Sequence, residues 1–431
     1  MQPIGQTMGA NRNCIGGQFR GLLLALILWL ACVPAWGSLR DLPVFRVPDC
    51  VGVNTHFLTP QDGEMEKMHA GGFRVIRTDM VWERVERQPG EYDWQPYLNL
   101  TKIMRAHDMI PLYILDYSHS HYEEARSVVT QAGREAFARY AAQAVRELGD
   151  GPVIWEIWNE PNHPKFWVDQ PSHEDYLKLV EAASNAMREV DPLCTIAAPA
   201  TSEIDFAFLQ QCFEGGLLDW IDVVSVHPYR HSHPETVLAE YERLRAMINE
   251  YSPGRFVPII SGEWGYSIYA YHEVDVDPQR QAQFFVRQIL SNFIANVRVS
   301  IWYDWSNDGT DPEEIEHNFG VVDHALRPKP AYQAAKILYQ QLSGLTFVTR
   351  LPTESPDDYL ALFSNGAREV LAAWTSGEPH SIFLGVENDI GEATSMMGES
   401  VPLYRVGGEI ELPLQPSPIY LHAERFDLVY D

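Results

Sequence analysis

Eight alternations of a short apolar run with a helix-periodic segment, followed by brief strand-like runs divided by Gly, Pro and Asn, predict a (β/α)8 (TIM) barrel carrying a small C-terminal antiparallel β-sandwich. Two observations carry the first half of that expectation. The alternations occupy roughly 290 residues, a length at which such units close into a barrel. The apolar runs are dense in Val and Ile, as parallel strands covered on both faces must be. The expected organisation is an export signal over residues 1–37, the barrel over 38–343 and the sandwich over 344–431.

Taken in order, Cys50 to Phe57 is the first strand, ending in Asn54-Thr55-His56, and a helix follows Pro60 as far as Ala70. Phe73 to Asp79 is the second, with Arg77 and Asp79 near its end; Trp82 to Trp94 is expected as loop and Tyr97 to His107 as helix. Ile110 to Asp116 is the third strand, with Tyr117, Ser118, His119 and His121 in the polar loop after it. Its helix, Arg134 to Leu148, puts Phe137, Tyr140, Ala141, Ala144 and Val145 on one face. The fourth strand lies in Val153-Ile154-Trp155-Glu156-Ile157-Trp158-Asn159-Glu160-Pro161-Asn162. Pro161 cannot continue a ladder, so Asn159 and Glu160 are expected where the strand stops. Ser172 with Asp175 three residues on resembles a capping box, opening a helix to Val190.

Cys194 to Pro199, Trp220 to Val226, Phe256 to Gly262 and Val297 to Tyr303 are strands five to eight, and their helices span Ile204 to Phe213, Glu235 to Tyr251, Gln279 to Asn296 and Lys329 to Leu342. Strand six leads into His227-Pro228-Tyr229-Arg230, and strand seven delivers Glu263. Past Gly344, the runs Tyr359 to Phe363, Glu369 to Trp374, Ser381 to Leu384 and Ile410 to Leu414 have the length and punctuation of antiparallel strands.

The first residues follow the pattern of an export signal: Arg12 and Arg20, the apolar run Gly21 to Val33, then Ala35-Trp36-Gly37 as a small-x-small cleavage site. The run is shorter than the ~20 residues a spanning helix needs, and an uncleaved anchor is the alternative. An exported, periplasmic or extracellular protein is expected. The chain has 32 Lys and Arg against 59 Asp and Glu, net −27, and loss of residues 1–37 would remove two arginines and no acids. That charge repels phosphate backbones and excludes nucleic acid as a natural partner. It also disfavours a strongly anionic polysaccharide unless the cleft is locally basic. Cys50, Cys194 and Cys212 remain beyond the signal, without C-x-x-C spacing; one bridge, Cys194 to Cys212, is the expected pairing if any forms.

In a barrel of this kind the loops at the carboxyl ends of the strands build the site. Glu160 ends strand four and Glu263 ends strand seven, so both face one cleft from opposite sides. Two carboxylates flanking a sugar bond can cleave it: one protonates the leaving oxygen and the other attacks or activates water. The structural alternative, a pair of capping or salt-bridged glutamates, does not explain why both fall at strand ends. Arg77 could instead pair with Asp79, and His227 and Tyr229 could simply cap a strand. Trp305 is the expected flat platform for a sugar ring, with core packing as the alternative; His56, Tyr117, His119 and Trp82 are expected on the rim.

Trp158-Asn159-Glu160-Pro161 resembles the acid/base signature of clan A glycoside hydrolases, and Ser261-Gly262-Glu263-Trp264 resembles the nucleophile strand of its retaining members. Within the clan the sequence is most similar to glycoside hydrolase family 39, including exported bacterial enzymes that cut exopolysaccharide. Asn159-Glu160-Pro161-Asn162, Tyr303-Asp304-Trp305-Ser306-Asn307-Asp308-Gly309, Asn318-Phe319-Gly320-Val321 and Lys329-Pro330-Ala331-Tyr332 carry that similarity. The resemblance implies a retaining glycosidase acting on a β-linked polysaccharide or oligosaccharide without a cofactor. Glu263 is then the nucleophile and Glu160 the acid/base. The resemblance also implies that Asn159 bonds the sugar 2-hydroxyl, that Arg77 keeps the nucleophile ionised and that Tyr229 hydrogen-bonds it.

Two other function classes are consistent with a barrel. His119, His121, His227, His231 and His233 invite a metal-dependent hydrolase, but no H-x-H lies on strand one and no lysine is placed to bridge two metals. Asn307, Asp308 and Asp311 miss the spacing of a calcium loop. A catalytically inactive carbohydrate-binding barrel would not need both glutamates.

Overall fold

A computed structural model of the protein describes residues 40–168, 170–269, 275–386 and 393–426. The expected export signal lies outside these residues. No helix among them is long and apolar enough to cross a membrane.

Eight parallel strands close into a barrel: β1 (Val51–Asn54), β2 (Val75–Val81), β3 (Ile110–Asp116), β4 (Ile154–Ile157), β5 (Thr195–Ser202), β6 (Val223–His227), β7 (Ile259–Trp264) and β8 (Val297–Trp302). Each pairs with its neighbours in sequence, and β8 closes onto β1. The outer ring is α1 (Glu64–Gly71), α2 (Gln95–Ala106), α3 (Gln131–Leu148), α4 (His173–Val190), α5 (Phe206–Glu214), α6 (Val237–Tyr251), α7 (Pro278–Ile294) and α8 (Pro330–Leu342). Local signals start several of these helices. The side chains of Thr130, Ser172, Asp205 and Asp277 accept from first-turn amides. At Ser172 the cap is one-sided: its Oγ accepts from the Asp175 amide and donates to the Asp175 carboxylate, in place of the reciprocal backbone bond of a capping box.

The barrel interior is layered. Val75, Leu112, Ile154, Ala197, Val223, Ile260 and Val299, one from each of β2 to β8, form with Ile301 a closed apolar cluster. Strand side chains alternate with period two, so residues two positions on face the same interior one layer nearer the carboxyl ends. On β2, β4, β6 and β7 those positions hold Arg77, Glu156, Ser225 and Gly262, whereas on β3, β5 and β8 they hold Ile114, Pro199 and Ile301. The switch from aliphatic to polar on β2, β4 and β6 turns this part of the core into a site.

Two antiparallel sheets follow α8. One is six-stranded, in the order β9 (Thr346–Arg350), β10 (Asp358–Ser364), β11 (Glu369–Thr375), β17 (Ile419–Ala423), β13 (Ala393–Ser395) and β14 (Ser400–Val401); the other is β12 (His380–Leu384), β16 (Glu409–Leu414) and β15 (Tyr404–Val406). Leu360, Leu362 and Leu371 of the larger sheet meet Ile410, Leu412 and Leu414 of the smaller in one core. The opposite face of the larger sheet joins the barrel core through Phe363, whose ring meets Phe293 of α7 edge-on at 5.5 Å. Buried on both faces, β10 and β11 read as continuous apolar runs. Trp374 donates its indole N–H to Glu235 at 2.6 Å, and Glu235 in turn pairs with buried Arg287 at 2.6 Å.

Three expectations need correction here. Trp82 to Trp94 is not plain loop: it contains a helical turn, Trp82–Val85, and a small hairpin, Glu86–Gln88 with Glu91–Tyr92. Trp220 does not begin strand six but ends a helical turn, Leu217–Trp220, that starts from left-handed Gly216. Cys194 and Cys212 do not pair; Cys50, Cys194 and Cys212 are all buried free thiols. Cys194 leads into β5 and Cys212 lies on α5, each packed in apolar surroundings, and burial pushes the Cys194 thiol up to about 12.

Replacing Arg287 with Met would strand the buried Glu235 carboxylate at the junction of barrel and sandwich. The expected cost is ~3–5 kcal/mol, read as a lower urea midpoint at unchanged m. A midpoint equal to that of the parent would contradict this junction.

Candidate active site

Arg77 is the centre of the polar layer and is fully buried. Its Nε donates to Glu156 Oε2 at 2.8 Å, Nη1 to Asn54 Oδ1 at 3.1 Å and to Glu263 Oε2 at 2.7 Å, and Nη2 to Asn159 Oδ1 at 2.8 Å and to His227 Nε2 at 3.1 Å. Burial opposes its charge, but Glu156 and Glu263 outweigh that and raise its pKa further, so the cation is permanent. Glu156 is itself buried and takes a second bond from Ser225. Gly262 completes the layer, because a Cβ there would lie 2.6 Å from Ser225 Oγ and 2.9 Å from Glu156 Oε1.

Glu263 ends β7 beyond Gly262. One oxygen is held by Arg77 and the other accepts from the Tyr229 hydroxyl at 2.8 Å. Glu160 is set differently. The chain leaves β4 through Trp158 at φ 71° and Glu160 at φ 47°, a left-handed backbone uncommon for such residues and found where a site holds it in place. The Trp158 amide bonds Leu115 O and the Glu160 amide bonds Ala200 O, tying the turn to β3 and β5. Glu160 is buried, and desolvation raises its carboxyl to about 7 against the opposing charges of His163, Arg77 and Lys165. His227 completes the link. Arg77 can only donate to Nε2, so the ring proton is on Nδ1, which donates to Glu160 Oε1 at 3.1 Å. Burial and Arg77 lower the His227 pKa to about 4, so the ring is neutral at pH 7.

Carboxylate oxygens of Glu160 and Glu263 and a His227 nitrogen all lie within 4.8 Å of one another. A metal is a poor occupant of this group, since the Arg77 guanidinium already contacts Glu263 and His227. The carboxylates open into a cleft of about 440 Å³ that is also lined by Asn54, His56, Tyr117, Tyr229, Tyr303 and Phe319. His56 bonds Asp308 at 2.9 Å; burial lowers its pKa, but Asp308, Asp304 and Asp79 outweigh that and lift it to about 9.

Arg77, Asn159, Glu160, His227, Tyr229, Glu263, His56 and Tyr117 are therefore brought together. Three expected residues are not. Trp305 is 1% exposed, packs edge-on against Phe73 and Tyr332 and donates to Glu64 at 2.8 Å, so it is core and not a sugar platform. The aromatic surface on that side comes from Tyr303, whose ring meets Phe319 at 5.2 Å. Trp82 is fully buried among Phe137, Tyr140 and Tyr122. His119 is buried against Trp82 and bonded to Glu86 O, and neither reaches the cleft.

Sequence reasoning missed Glu156, Ser225 and Asn54; the His163 to Pro171 loop is a foreseeable wall of the cleft, but nothing in it singles out His163, Lys165 and Phe166 as the residues that line it. Glu156 carried a signal: a charged residue inside Val153-Ile154-Trp155-Glu156-Ile157 must find a partner in the interior. The three loop residues carried none, because a loop shows no periodicity.

Residues 116–348, over half of the chain, match the sequence model described as Glycosyl hydrolases family 39. The chain belongs to that family. The resemblance of its Asn159-Glu160-Pro161-Asn162 and strand-eight motifs is borne out. A β-xylosidase of Caldicellulosiruptor saccharolyticus is 25% identical over 342 residues, which is 71% of this chain and 65% of the relative. A β-xylosidase of Geobacillus stearothermophilus is 26% identical over 49% of this chain and 45% of its own length. The chain thus spans just under two thirds of the first relative and under half of the second. A solved family 39 glycoside hydrolase of Bacteroides cellulosilyticus WH2 superimposes with TM-score 0.76 at 25% identity, over 87% of this chain and 81% of that one.

In this family 39 chain the two glutamates differ in surroundings, and that difference is measurable without substrate. With 13C-labelled glutamate, the Glu160 carboxyl carbon is expected to titrate near pH 7. An ordinary carboxylate midpoint would contradict the buried environment.

Proposed function

We propose that the protein is a retaining glycoside hydrolase that cleaves a β-linked glycan or exopolysaccharide by double displacement. One observation carries this reading: Glu160 and Glu263 approach within 4.8 Å, with burial raising the first to about 7 while Arg77 and Tyr229 hold the second. Retaining enzymes have carboxyl groups ~5–5.5 Å apart, whereas inverting enzymes need ~6.5–9.5 Å to admit a water between carboxylate and sugar. The names of the β-xylosidase relatives support a β-linked substrate.

In the first step a Glu263 oxygen bonds to the anomeric carbon while Glu160 gives its proton to the departing glycosidic oxygen. Arg77 and Tyr229 each bond one Glu263 oxygen and so fix the carboxylate in place for attack. Asn159 spends its carbonyl oxygen on Arg77, which leaves its amide N–H groups to donate to a sugar hydroxyl. In the second step the ionised Glu160 takes a proton from water, the water oxygen bonds to the anomeric carbon and the Glu263 ester breaks. Glu160 can fill both roles because its pKa lies near the working pH. His227, neutral and fixed in one tautomer, orients it. The signal-like residues 1–37 support export to the periplasm or the cell exterior, where a polysaccharide substrate is met.

The test is turnover of a panel of aryl β-glycosides, oligosaccharides and polysaccharides by the parent, Glu160→Gln and Glu263→Gln proteins. Glu160→Gln is expected to lose ~10²–10⁴-fold on unactivated sugars and less on aryl glycosides, whose leaving groups need little protonation. Glu263→Gln is expected to lose turnover on both while still binding glycan. Because the first step needs protonated Glu160, kcat/KM of the parent should be level below its pKa and fall as pH rises through about 7. Failure of the parent on every glycan, with binding retained, would favour a binding protein; loss of activity to chelator would favour metal-dependent chemistry.

A further inference from the structure

A ladder of cations and rings forms one wall of the cleft. The Arg126 guanidinium carbon lies 4.8 Å from the Tyr117 ring centre. Tyr117 stacks on Phe166 with centroids 5.9 Å apart and planes 9° from parallel, and Lys165 Nζ lies 5.1 Å from the Phe166 centre. Tyr117, Lys165 and Phe166 all line the cleft. Among the described residues neither Lys165 nor Arg126 forms an ion pair, although acids outnumber bases 59 to 32 in the chain. Glu203 also lines the cleft, and it pairs with neither.

The position of this wall fixes which sugar would meet it. A general acid protonates the oxygen of the leaving sugar, so that sugar lies on the side from which the acid reaches in. Lys165 is five residues beyond Glu160 on the same loop, close enough for its charge to act on the Glu160 carboxyl. The sugar being transferred lies instead over Glu263, among Arg77, Asn159 and Tyr229. Aromatic rings suit the apolar face of a pyranose, and an unpaired ammonium beside them suits a carboxylate.

We propose that this wall is the leaving-group subsite and that it takes a uronate, a sugar whose C6 is a carboxylate. The inference rests on the hydrolase reading above and adds to it the class of the second sugar. Lys165 meets the carboxylate and Arg126 adds positive potential through Tyr117. Occupancy also acts on the acid: a carboxylate beside Lys165 offsets the charge that favours ionised Glu160, so the substrate itself helps to keep the proton in place. The chain's strong negative charge then limits entry of long polyanions, while the local cations admit a glycan with scattered uronates.

Transfer to added acceptors tests this independently of which sugar is cleaved. The donor is the aryl glycoside or oligosaccharide that the parent turns over fastest, and the competing acceptors are methyl β-D-glucuronide and methyl β-D-glucoside. In transfer the acceptor oxygen bonds to the anomeric carbon, the Glu263 ester breaks and the hydroxyl proton passes to Glu160. The parent is expected to favour the glucuronide by at least about threefold at low salt, with the ratio falling toward one at high ionic strength. Lys165→Met, and more so Lys165→Met with Arg126→Met, should bring the ratio to about one, and Lys165→Arg should keep it. A parent ratio of one or less, no transfer to the glucuronide, or a ratio unchanged in the double variant overturns the proposal. A variant that merely loosened the loop would slow both transfers alike and leave the ratio intact. A parent that turns over no donor at all overturns the hydrolase reading instead.

Discussion

The site depends on one buried guanidinium. Arg77 reaches the ends of five side chains from β1, β4, β6 and β7 and from the turn after β4, and it is the only cation in the layer that contacts both Glu156 and Glu263 among the described residues. A fully buried arginine is tolerable only when its charge and its donors are met. Here Glu156 meets it from below and Glu263 from above, so a fully buried carboxylate and a cleft-facing one share a cation. Glu156 is committed to Arg77 and Ser225 and lies at the closed side of the layer, whereas Glu263 faces the cleft. Two acidic residues of the same type thus acquire different roles through a difference of one layer in depth.

The second constraint is the turn after β4. Left-handed conformations at Trp158 and Glu160 cost free energy, and the backbone bonds to Leu115 and Ala200 hold them in place. The same turn gives Glu160 its burial and brings His227 against it. His227 links the two halves of the site, accepting from Arg77 and donating to Glu160, so the proposed acid is oriented by the same cation that holds the proposed nucleophile. Around this turn Trp158 packs on Tyr117 and Trp167, and within β4 Trp155 packs on Tyr113.

Much of this was legible in the sequence. Strand order, the placing of Glu160 and Glu263 at strand ends and the sandwich follow from local signals that do not depend on distant contacts: dense apolar runs, a proline stop and helix caps. What was illegible depends on direction after the strand ends. Trp305 and Tyr303 are two residues apart, yet one turns into the α1 and α8 packing and the other into the cleft, and no periodicity distinguishes them outside a strand. Trp82 and His119 failed for the same reason: a polar or aromatic residue just past a strand is as readily drawn beneath a neighbouring hairpin as onto a rim. Glu156 was legible in principle, since period two from Ile154 places it inside the barrel beside Arg77.

The central claim is that Glu263 becomes bonded to sugar. A 2-deoxy-2-fluoro aryl glycoside of the sugar turned over fastest slows release of that intermediate, and peptide mapping by mass spectrometry locates the bond. The account predicts one sugar per chain, attached to Glu263 in the peptide containing Ser261-Gly262-Glu263-Trp264, and no label in Glu263→Gln. A label on Glu160, or rapid turnover through a first-formed product of inverted configuration with no labelled peptide, would contradict it.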